Sequence, residues 1–208
     1  MRFNTMILLL SVAALVLAES QPGLPGSTVE VRTTNSLVEI TGSDGDSVQV
    51  DDPSHATLSP SGSGTLVEGD GAPLRLRVPR RSSLDVSTAN GAIHVSGVAG
   101  TMRLTTSNGA ITVQNAGAAE IHAHTSNGSI EIGVPGELNA NLSARTSNGR
   151  IRSDAEVTTN HIGANFLEGK IGKGGPAIDL QTSNGSIWLR SDSRQESVNS
   201  VFKPGDVK

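Results

Sequence analysis

One twelve-residue pattern recurs along most of the chain and restricts its possible folds more than any other feature. The pattern is apolar-x-apolar-x-Thr-x-Asn-Gly-x-Ile-x-apolar, and five copies follow it closely. They read LDVSTANGAIHV from Leu84, MRLTTSNGAITV from Met102, IHAHTSNGSIEI from Ile121, LSARTSNGRIRS from Leu142 and IDLQTSNGSIWL from Ile178. Two weaker copies, VEVRTTNSLVEI from Val29 and IGANFLEGKIGK from Ile162, complete a set of seven.

Each copy predicts two short strands that meet at a sharp corner, because apolar and polar residues alternate on both sides of Asn-Gly. Asn and Gly tolerate positive φ better than other residues, so this dipeptide is expected to make the bend. The predicted corner residues are Asn90, Gly91, Asn108, Gly109, Asn127, Gly128, Asn148, Gly149, Asn184 and Gly185.

Two all-β architectures can use such corners. In a single-domain parallel β-solenoid, each copy is one rung and equivalent residues of successive rungs stack in columns. In an antiparallel sandwich or meander, each Asn-Gly is instead a two-residue hairpin turn. The period of 18–21 residues favours a solenoid of about seven rungs, because stacking rewards identical residues in identical phase. The Leu, Val, Thr, Asn and Ile positions are then expected to point inward, with the Asn side chains forming a ladder.

The sequence outside the repeats suggests how the chain is organised. Residues 1–18 resemble a signal peptide, with Arg2 before an apolar run at 6–17 and a cleavage site after Ala18; a retained N-terminal anchor is the alternative. A short linker (19–28) precedes the repeat domain (29–189), in which the Ser-, Gly-, Asp- and Pro-rich segment 41–83 is expected to form a cap or loop. Residues 190–208 are predicted to form a C-terminal cap or tail, with Phe202 packed under Trp188 as one possibility.

Composition excludes several kinds of function. The chain contains no cysteine, so disulfides, thiolate chemistry and cysteine-ligated metals are excluded. Its net charge of −4 makes it a poor binder of nucleic acid, because that affinity comes from neutralising phosphates. With three Phe, one Trp and no Tyr, the core is expected to consist of aliphatic residues.

The segment LRLRVPRRSSLDVSTANGAIHVSGVAGTMRLTTSNGAITV, residues 74–113, closely resembles the DUF4097 family of candidate adhesins. Members of that family carry a VP-x(n)-L-x-V-x-T-x-N-G-x-I-x-V block followed by serial T-S-N-G-x-I-x-V units. The resemblance covers nearly all of the chain after residue 18. It implies an exported, single-domain, β-solenoid-like protein of the envelope or the exterior. It implies no catalytic residues and no cofactor.

The residues between the inward positions are expected to form outward columns. Before the corner, these are Glu30, Asp85, Arg103, His122, Ser143, Gly163 and Asp179, and then Arg32, Ser87, Thr105, His124, Arg145, Asn165 and Gln181. After the corner, the column is Glu39, His94, Thr112, Glu131, Arg152, Gly172 and Trp188. These columns are chemically mixed, with opposite charges interspersed, which is typical of a solvated face.

Three residues are candidates for contact with a partner. Trp188 is the one large aromatic residue at an outward position and is a possible stacking surface for a sugar or peptide. His122 and His124 lie on the same side of a strand and resemble the start of a metal site, with His94 or Glu131 as a further ligand. Two exposed polar residues are the preferred interpretation of the His pair. No metal site is therefore predicted.

The acidic residues do not predict an enzyme. A glycosidase needs two carboxyl groups about 5–10 Å apart, and Asp85, Glu131 and Asp179 have no acidic neighbour one rung away in sequence order. Asp44, Asp46, Asp51 and Asp52 match no known calcium loop and are interpreted as a solvated acidic loop.

The sequence therefore predicts a non-enzymatic, adhesin-like binding module that is secreted, periplasmic or associated with the envelope. The expected partner is an extracellular macromolecule: a cell-wall polymer, a surface protein or a cationic peptide. A polysaccharide-active enzyme and a purely structural scaffold are the alternatives.

Overall fold

The computed structural model describes residues 20–22, 27–62, 64–117, 119–136 and 138–192, which form nineteen strands and one short 3-10 helix. The predicted signal peptide lies outside the described residues, as do Phe202 and most of the predicted tail. None of the described segments is a helix with the length and apolar character needed to cross a bilayer.

The strands are numbered in chain order, and the 3-10 helix is Pro53–His55. The first ten are β1 (Ser20–Pro22), β2 (Thr28–Arg32), β3 (Val38–Ser43), β4 (Ser47–Val50), β5 (Ala56–Ser61), β6 (Gly64–Gly69), β7 (Leu74–Pro79), β8 (Ser83–Thr88), β9 (Ile93–Ser96) and β10 (Met102–Thr106). The others are β11 (Ile111–Gln114), β12 (Ile121–Asn127), β13 (Ile130–Pro135), β14 (Ala140–Asn148), β15 (Ile151–Ser153), β16 (Val157–Ile162), β17 (Phe166–Ile171), β18 (Ala177–Asn184) and β19 (Ile187–Asp192).

Two mixed sheets enclose one apolar core. Sheet A has the order β1-β4-β7-β3-β9-β11-β13-β19-β15, and sheet B has the order β5-β6-β2-β8-β10-β12-β18-β14-β17-β16. Seven rungs, each with one strand from each sheet, stack as β6/β7, β2/β3, β8/β9, β10/β11, β12/β13, β18/β19 and β14/β15, and neighbouring rungs pair in parallel. The predicted solenoid is confirmed. The hairpin alternative is wrong, because the strands on either side of each Asn-Gly belong to different sheets.

The rungs are not stacked in sequence order. Rung β18/β19 lies between β12/β13 and β14/β15, so Thr182 pairs with Thr125 on one side and with Thr146 on the other. Likewise, β6/β7 lies outside β2/β3. The columns predicted in sequence order therefore lack the outer rung β6/β7 at one end of the stack and have the wrong order at the other end. The five close copies carry the same Thr, Asn, Gly and Ile positions, so each can pack against any other.

Engineered cysteines can test this order against a background free of native cysteine. His124 pairs directly with Gln181, whereas Arg145 lies one rung further away. Paired residues in adjacent strands lie about 5 Å apart, and residues two rungs apart lie about 10 Å apart, beyond disulfide range. We expect His124→Cys with Gln181→Cys to form a disulfide on mild oxidation, and His124→Cys with Arg145→Cys to remain reduced, as measured by mass spectrometry. The opposite result would restore the sequence order.

The weak copy at residues 162–173 is not a rung. It contains the whole of β17, which pairs antiparallel with β14 on one side and with β16 on the other. Phe166 and Glu168 stand where other copies have Thr and Asn, so this copy lacks the groups that join corners. Gly172 and Gly174, with φ of 57° and 78°, turn the chain towards β18. The prediction of an interrupted rung is thus replaced by an antiparallel hairpin at the end of sheet B.

The opposite end of the stack is also closed by antiparallel strands. Segment 41–83 supplies rung β6/β7, while β4 pairs antiparallel with β7 and β5 with β6. Strand β1 adds to the edge of sheet A by pairing with β4. Antiparallel strands thus form both edges of sheet B and the β1 edge of sheet A, which limits further addition of rungs there, whereas β15, paired in parallel with β19, forms the other edge of sheet A.

Aliphatic columns fill the core. In sheet A, Ile93, Ile111, Ile130 and Ile187 occupy successive levels and are fully buried. In sheet B, Leu180 is fully buried between Ala123 and Ala144, its partners on the two neighbouring strands. The large side chain of one level therefore fills the space that two small side chains leave.

The corner threonines join rungs from the inside. All five are buried; the hydroxyl of Thr88 donates to Thr34 O, and each of the other four donates a hydrogen bond to a glycine carbonyl of the neighbouring corner. The bonds run from Thr106 to Gly91 (3.0 Å), Thr125 to Gly109 (2.9 Å), Thr182 to Gly128 (2.9 Å) and Thr146 to Gly185 (2.8 Å). Thr thus satisfies a carbonyl at a level where the strands have ended and ladder hydrogen bonds are lost.

The asparagines join the same rungs from the outside. Each Nδ2 donates to the Oδ1 of the next Asn over 2.7–2.9 Å, in the series Asn148, Asn184, Asn127, Asn108, Asn90 and Asn35. The predicted ladder is present, but the predicted inward orientation is wrong, because all six residues are exposed. Period-two alternation holds only along a strand, and the chain bends at this position.

Contact between rungs, rather than positive φ, requires glycine at the corners. Among the described residues, the glycines with positive φ are Gly62, Gly71, Gly97, Gly172 and Gly174, so the expectation of positive φ at the corners is wrong. A Cβ atom at any of the five corner glycines would lie 1.8–2.0 Å from a carbonyl oxygen of the neighbouring corner. The corners therefore stack too closely to admit any side chain.

Candidate functional site

The outer face of sheet A carries a straight row of side chains, one from each rung. In stack order, this sheet A row is Arg75, Glu39, His94, Thr112, Glu131, Trp188 and Arg152. Paired strands are spaced about 4.8 Å apart, so the row is about 29 Å long. Such a surface offers regularly spaced contacts to an extended partner.

Trp188 and the charged residues around it form the most distinctive part of the row. We define the Trp188 patch as Glu131, Arg152, Trp188 and Arg190. Trp188 is 37% exposed. The Cζ atoms of Arg152 and Arg190 lie 5.6 and 5.1 Å from its ring centroid, and Arg190 Nε lies 2.6 Å from Glu131 Oε1.

The inserted rung assembles this patch. The sequence predicted Trp188 at the end of its column, after Gly172, whereas the structure places it between Glu131 and Arg152. Arg190 was not predicted as a site residue. Its position two residues after Trp188 on one strand was a usable signal, because such residues share a face.

The patch combines an aromatic ring with two positively charged side chains. Cation–π contacts hold the two guanidinium groups against the ring. Arg190 also pairs with Glu131, but Arg152 makes no ion pair with any described residue. Arg152 can therefore bind an anionic group of a ligand without first breaking a salt bridge, next to a ring that offers apolar contact.

At the other end of the sheet A row, Arg75 and Glu39 form an ion pair with each other. Arg75 Nε donates to Glu39 Oε2 over 2.6 Å, and this bond and the charge of Glu39 raise the pKa of Arg75 above its ordinary value. Between the two ends, a shallow recess of about 250 Å³ is lined by Thr41, His94, Thr112 and Gln114 among others. Its polar lining and open shape suit a hydrated ligand.

His122 and His124 lie on the opposite face of the protein, on the outside of sheet B. His122 Nε2 is 2.9 Å from Glu120 Oε1, and its strand partners are Arg103 and Asp179. His124 is exposed beside Thr105 and Gln181. His94 and Glu131, the further ligands considered from the sequence, belong to sheet A. No group of three potential metal ligands occurs among the described residues.

The acidic loop residues make ion pairs and hydrogen bonds with neighbouring residues of the same chain. Asp44 pairs with Arg80 at 3.0 Å, and Asp51 pairs with Arg77 at 3.3 Å. Asp52 caps the 3-10 helix by accepting hydrogen bonds from Ser54, which lower the pKa of Asp52. These carboxylates thus hold the loop and the edge strands together.

One further charged pair lies at the same end. His55 Nδ1 is 2.9 Å from Asp70 Oδ2. This hydrogen bond and the negative charge of Asp70 raise the pKa of His55, while the same bond and one from Ala72 N lower the pKa of Asp70. The pair is exposed and joins the segments before β5 and after β6.

The structure pairs two acidic residues that are consecutive in the column predicted from the sequence but were not interpreted there as a pair. Glu30 and Asp85 are direct partners on β2 and β8, although 55 positions separate them in the chain. The expectation that Asp85 has no acidic neighbour one rung away is therefore wrong. Glu30 also contacts Arg32. Asp179 lies between His122 and Ser143, with no acidic strand partner.

Comparisons with known proteins agree with this architecture. The fold is similar to the crystal structure of a candidate cell adhesion protein from Clostridium sporogenes ATCC 15579, with a TM-score of 0.61 and 9% sequence identity over 84% of this chain and 99% of that chain. A candidate adhesin from Bacteroides fragilis NCTC 9343 aligns over 84% of this chain and 96% of its own with 10% identity, but with a TM-score of 0.25. No curated protein matches the sequence.

A family model also matches the part of the chain that contains the corner motifs. The family model described as Toastrack DUF4097 matches residues 74–190. This range is more than half of the chain and includes every rung with a Thr-x-Asn-Gly corner. The chain therefore belongs to the DUF4097, or Toastrack, family.

Proposed function

We propose that the protein is an exported binding module of the cell surface or envelope and that it does not catalyse a reaction. The observation that carries this proposal is the Trp188 patch at one end of the sheet A row. Exposed tryptophan and arginine residues are the side chains that most often anchor a partner. The structural neighbour from C. sporogenes is named as a candidate cell adhesion protein, which supports the same class of function.

The patch favours an acidic cell-wall polysaccharide among the possible partners. The exposed part of Trp188 offers apolar contact to a sugar ring, and the guanidinium of Arg152 matches a carboxylate or phosphate on the same polymer. A cationic peptide would meet two arginines here, which disfavours it. The 29 Å row provides room for several sugar units beyond the anchor.

Intrinsic fluorescence can test this site directly, because Trp188 is the only tryptophan of the chain. Titration with soluble acidic cell-wall polysaccharide is expected to change its emission. Trp188→Ala and Arg152→Ala are each expected to weaken retention on immobilised polymer about tenfold, the usual loss for one anchor residue. Gln181→Ala, an exposed change on sheet B, is the matched control. Unchanged retention of both patch variants would contradict the proposed site.

Two other experimental outcomes would support a different function. Release of reducing sugars from the polymer, lost in Glu30→Gln or Asp85→Asn, would identify an enzyme that uses the acidic pair on sheet B. Absence of retention on every envelope fraction would instead favour a structural scaffold.

Export is the remaining part of the proposal. It is supported by the positively charged and apolar character of residues 1–18. Cleavage after Ala18 gives a chain that begins at Glu19, and the intact mass of the protein recovered from its native source would measure this.

A further inference from the structure

The chain contains five Asn-Gly dipeptides, all at corners, and one of them lies in a different environment from the rest. Asn-Gly is the dipeptide most prone to spontaneous deamidation, because glycine offers no side chain to hinder attack by its backbone nitrogen on the preceding carboxamide. The five dipeptides share the same local sequence, so differences in their reactivity must come from the stack.

The Asn ladder restrains four of the five carboxamides from both sides. Asn90, Asn108, Asn127 and Asn184 each donate through Nδ2 to one neighbour and accept through Oδ1 from another. Ring closure requires the carboxamide to rotate towards the following backbone nitrogen. For these four residues, that rotation breaks two hydrogen bonds.

Asn148 is restrained from one side only. It donates to Asn184 over 2.9 Å, and no described residue donates to its Oδ1. The next strand of sheet B is β17, which pairs with β14 only as far as Arg145 and does not reach this level. Gly149 is exposed, whereas the other four corner glycines are partly buried. Both partners in the reaction are thus freer here than at the other corners.

We propose that Asn148 is a site of spontaneous modification, at which the ladder fails to prevent deamidation. The backbone nitrogen of Gly149 attacks Cγ of Asn148, a new C–N bond closes the succinimide, and the side-chain nitrogen leaves as ammonia. Water then opens the ring and gives aspartate or isoaspartate. The new carboxylate lacks the Nδ2 donor that bonded Asn184, and isoaspartate lengthens the main chain just before β15. The modification therefore acts on the strand that carries Arg152 of the Trp188 patch.

Ageing of the intact protein tests the proposal. The folded chain is held at pH 8.5 and 37 °C in water enriched in ¹⁸O, and each dipeptide is followed by peptide mass spectrometry. One extra hydrogen bond of ordinary strength corresponds to about a fivefold change in rate, so we expect Asn148 to deamidate at least about five times faster than each of the other four. Equal rates, or a faster rate elsewhere, would overturn the proposal.

Two controls separate the ladder from the local sequence. In guanidinium chloride, all five dipeptides are expected to react at similar rates. In folded Asn184→Ala, Asn127 loses the donor to its Oδ1 and becomes the end of the ladder. Its rate is expected to rise about fivefold, while the rates of Asn90 and Asn108 stay constant. A rate at Asn127 that does not change would show that the ladder is not the protecting element.

Discussion

Gly128→Ala is expected to lower the free energy of unfolding by about 3 kcal/mol or more. The added Cβ would lie 1.9 Å from the carbonyl oxygen of Gly109 and 2.5 Å from its carbonyl carbon. Both are backbone atoms that a rotamer change cannot move away. Relief would require two rungs to separate, which would lengthen the bonds from Thr125 and Asn127 to the neighbouring corner.

The matched control is Gly136→Ala. Gly136 is exposed, its φ is not positive, and an added Cβ would meet no atom within 4 Å. This variant is expected to stay within about 0.5 kcal/mol of the parent. Urea unfolding measures both variants. If Gly128→Ala unfolds at the same urea concentration as Gly136→Ala, the close stacking of the corners is wrong.

Leu180→Ala is expected to cost about 3–5 kcal/mol, near the upper part of the range for leucine truncations. Leu180 lies in the inserted rung between Ala123 and Ala144, and all three residues are buried. The change leaves three alanines in succession, and their short side chains cannot collapse into the space that Leu180 occupied. A cavity therefore remains, and its cost adds to the lost transfer free energy.

The neighbouring residue provides the comparison for this variant. Gln181 follows Leu180 on the same strand but points outward and is exposed. Gln181→Ala is expected to change the free energy of unfolding by no more than about 0.5 kcal/mol. A small effect of Leu180→Ala would contradict the placement of this rung inside the stack, because a leucine at an open end is only partly enclosed.

The repeat period and the alternation of apolar residues were sufficient to predict the solenoid and its core. Thr106 and Ile111, for example, were expected inward and are buried. The order of the rungs was not predictable, because a Thr-Ser-Asn-Gly corner offers the same hydroxyl, carboxamide and carbonyl to every other copy. Which rungs become neighbours depends on side-chain packing, such as that of Leu180 between Ala123 and Ala144. This packing can be recognised only once the order of the rungs is known.

The corner was predicted for partly incorrect reasons. Asn and Gly were expected to provide positive φ, whereas the structure uses Gly for close contact and Asn for an exposed ladder. Alternation predicts which side chains point inward only within a strand, and the corner residues lie at the strand ends or beyond them, so it cannot predict either property.

The candidate site was only partly visible in the sequence. Trp188 was identified as an outward aromatic residue, and the structure places it there. Its contact with Arg152 depends on the order of the rungs, whereas the pairing of Glu30 with Asp85 follows the sequence order of the two copies. For Trp188, the sequence could therefore indicate the residue, but not the neighbours that give it a chemical role.

The inserted rung also determines when the protein can finish folding. Residues 177–192 form the rung β18/β19, which lies between β12/β13 and β14/β15. Both of those rungs are synthesised earlier, so their strands have no partner on this side until residues 177–192 have been made. A chain that stops before residue 177 leaves the edges of β12 and β13 unpaired, and open strand edges promote aggregation. Shortened products are thus expected to be lost from the soluble pool. Synthesis through residue 192 is therefore required before the full stack of rungs can form.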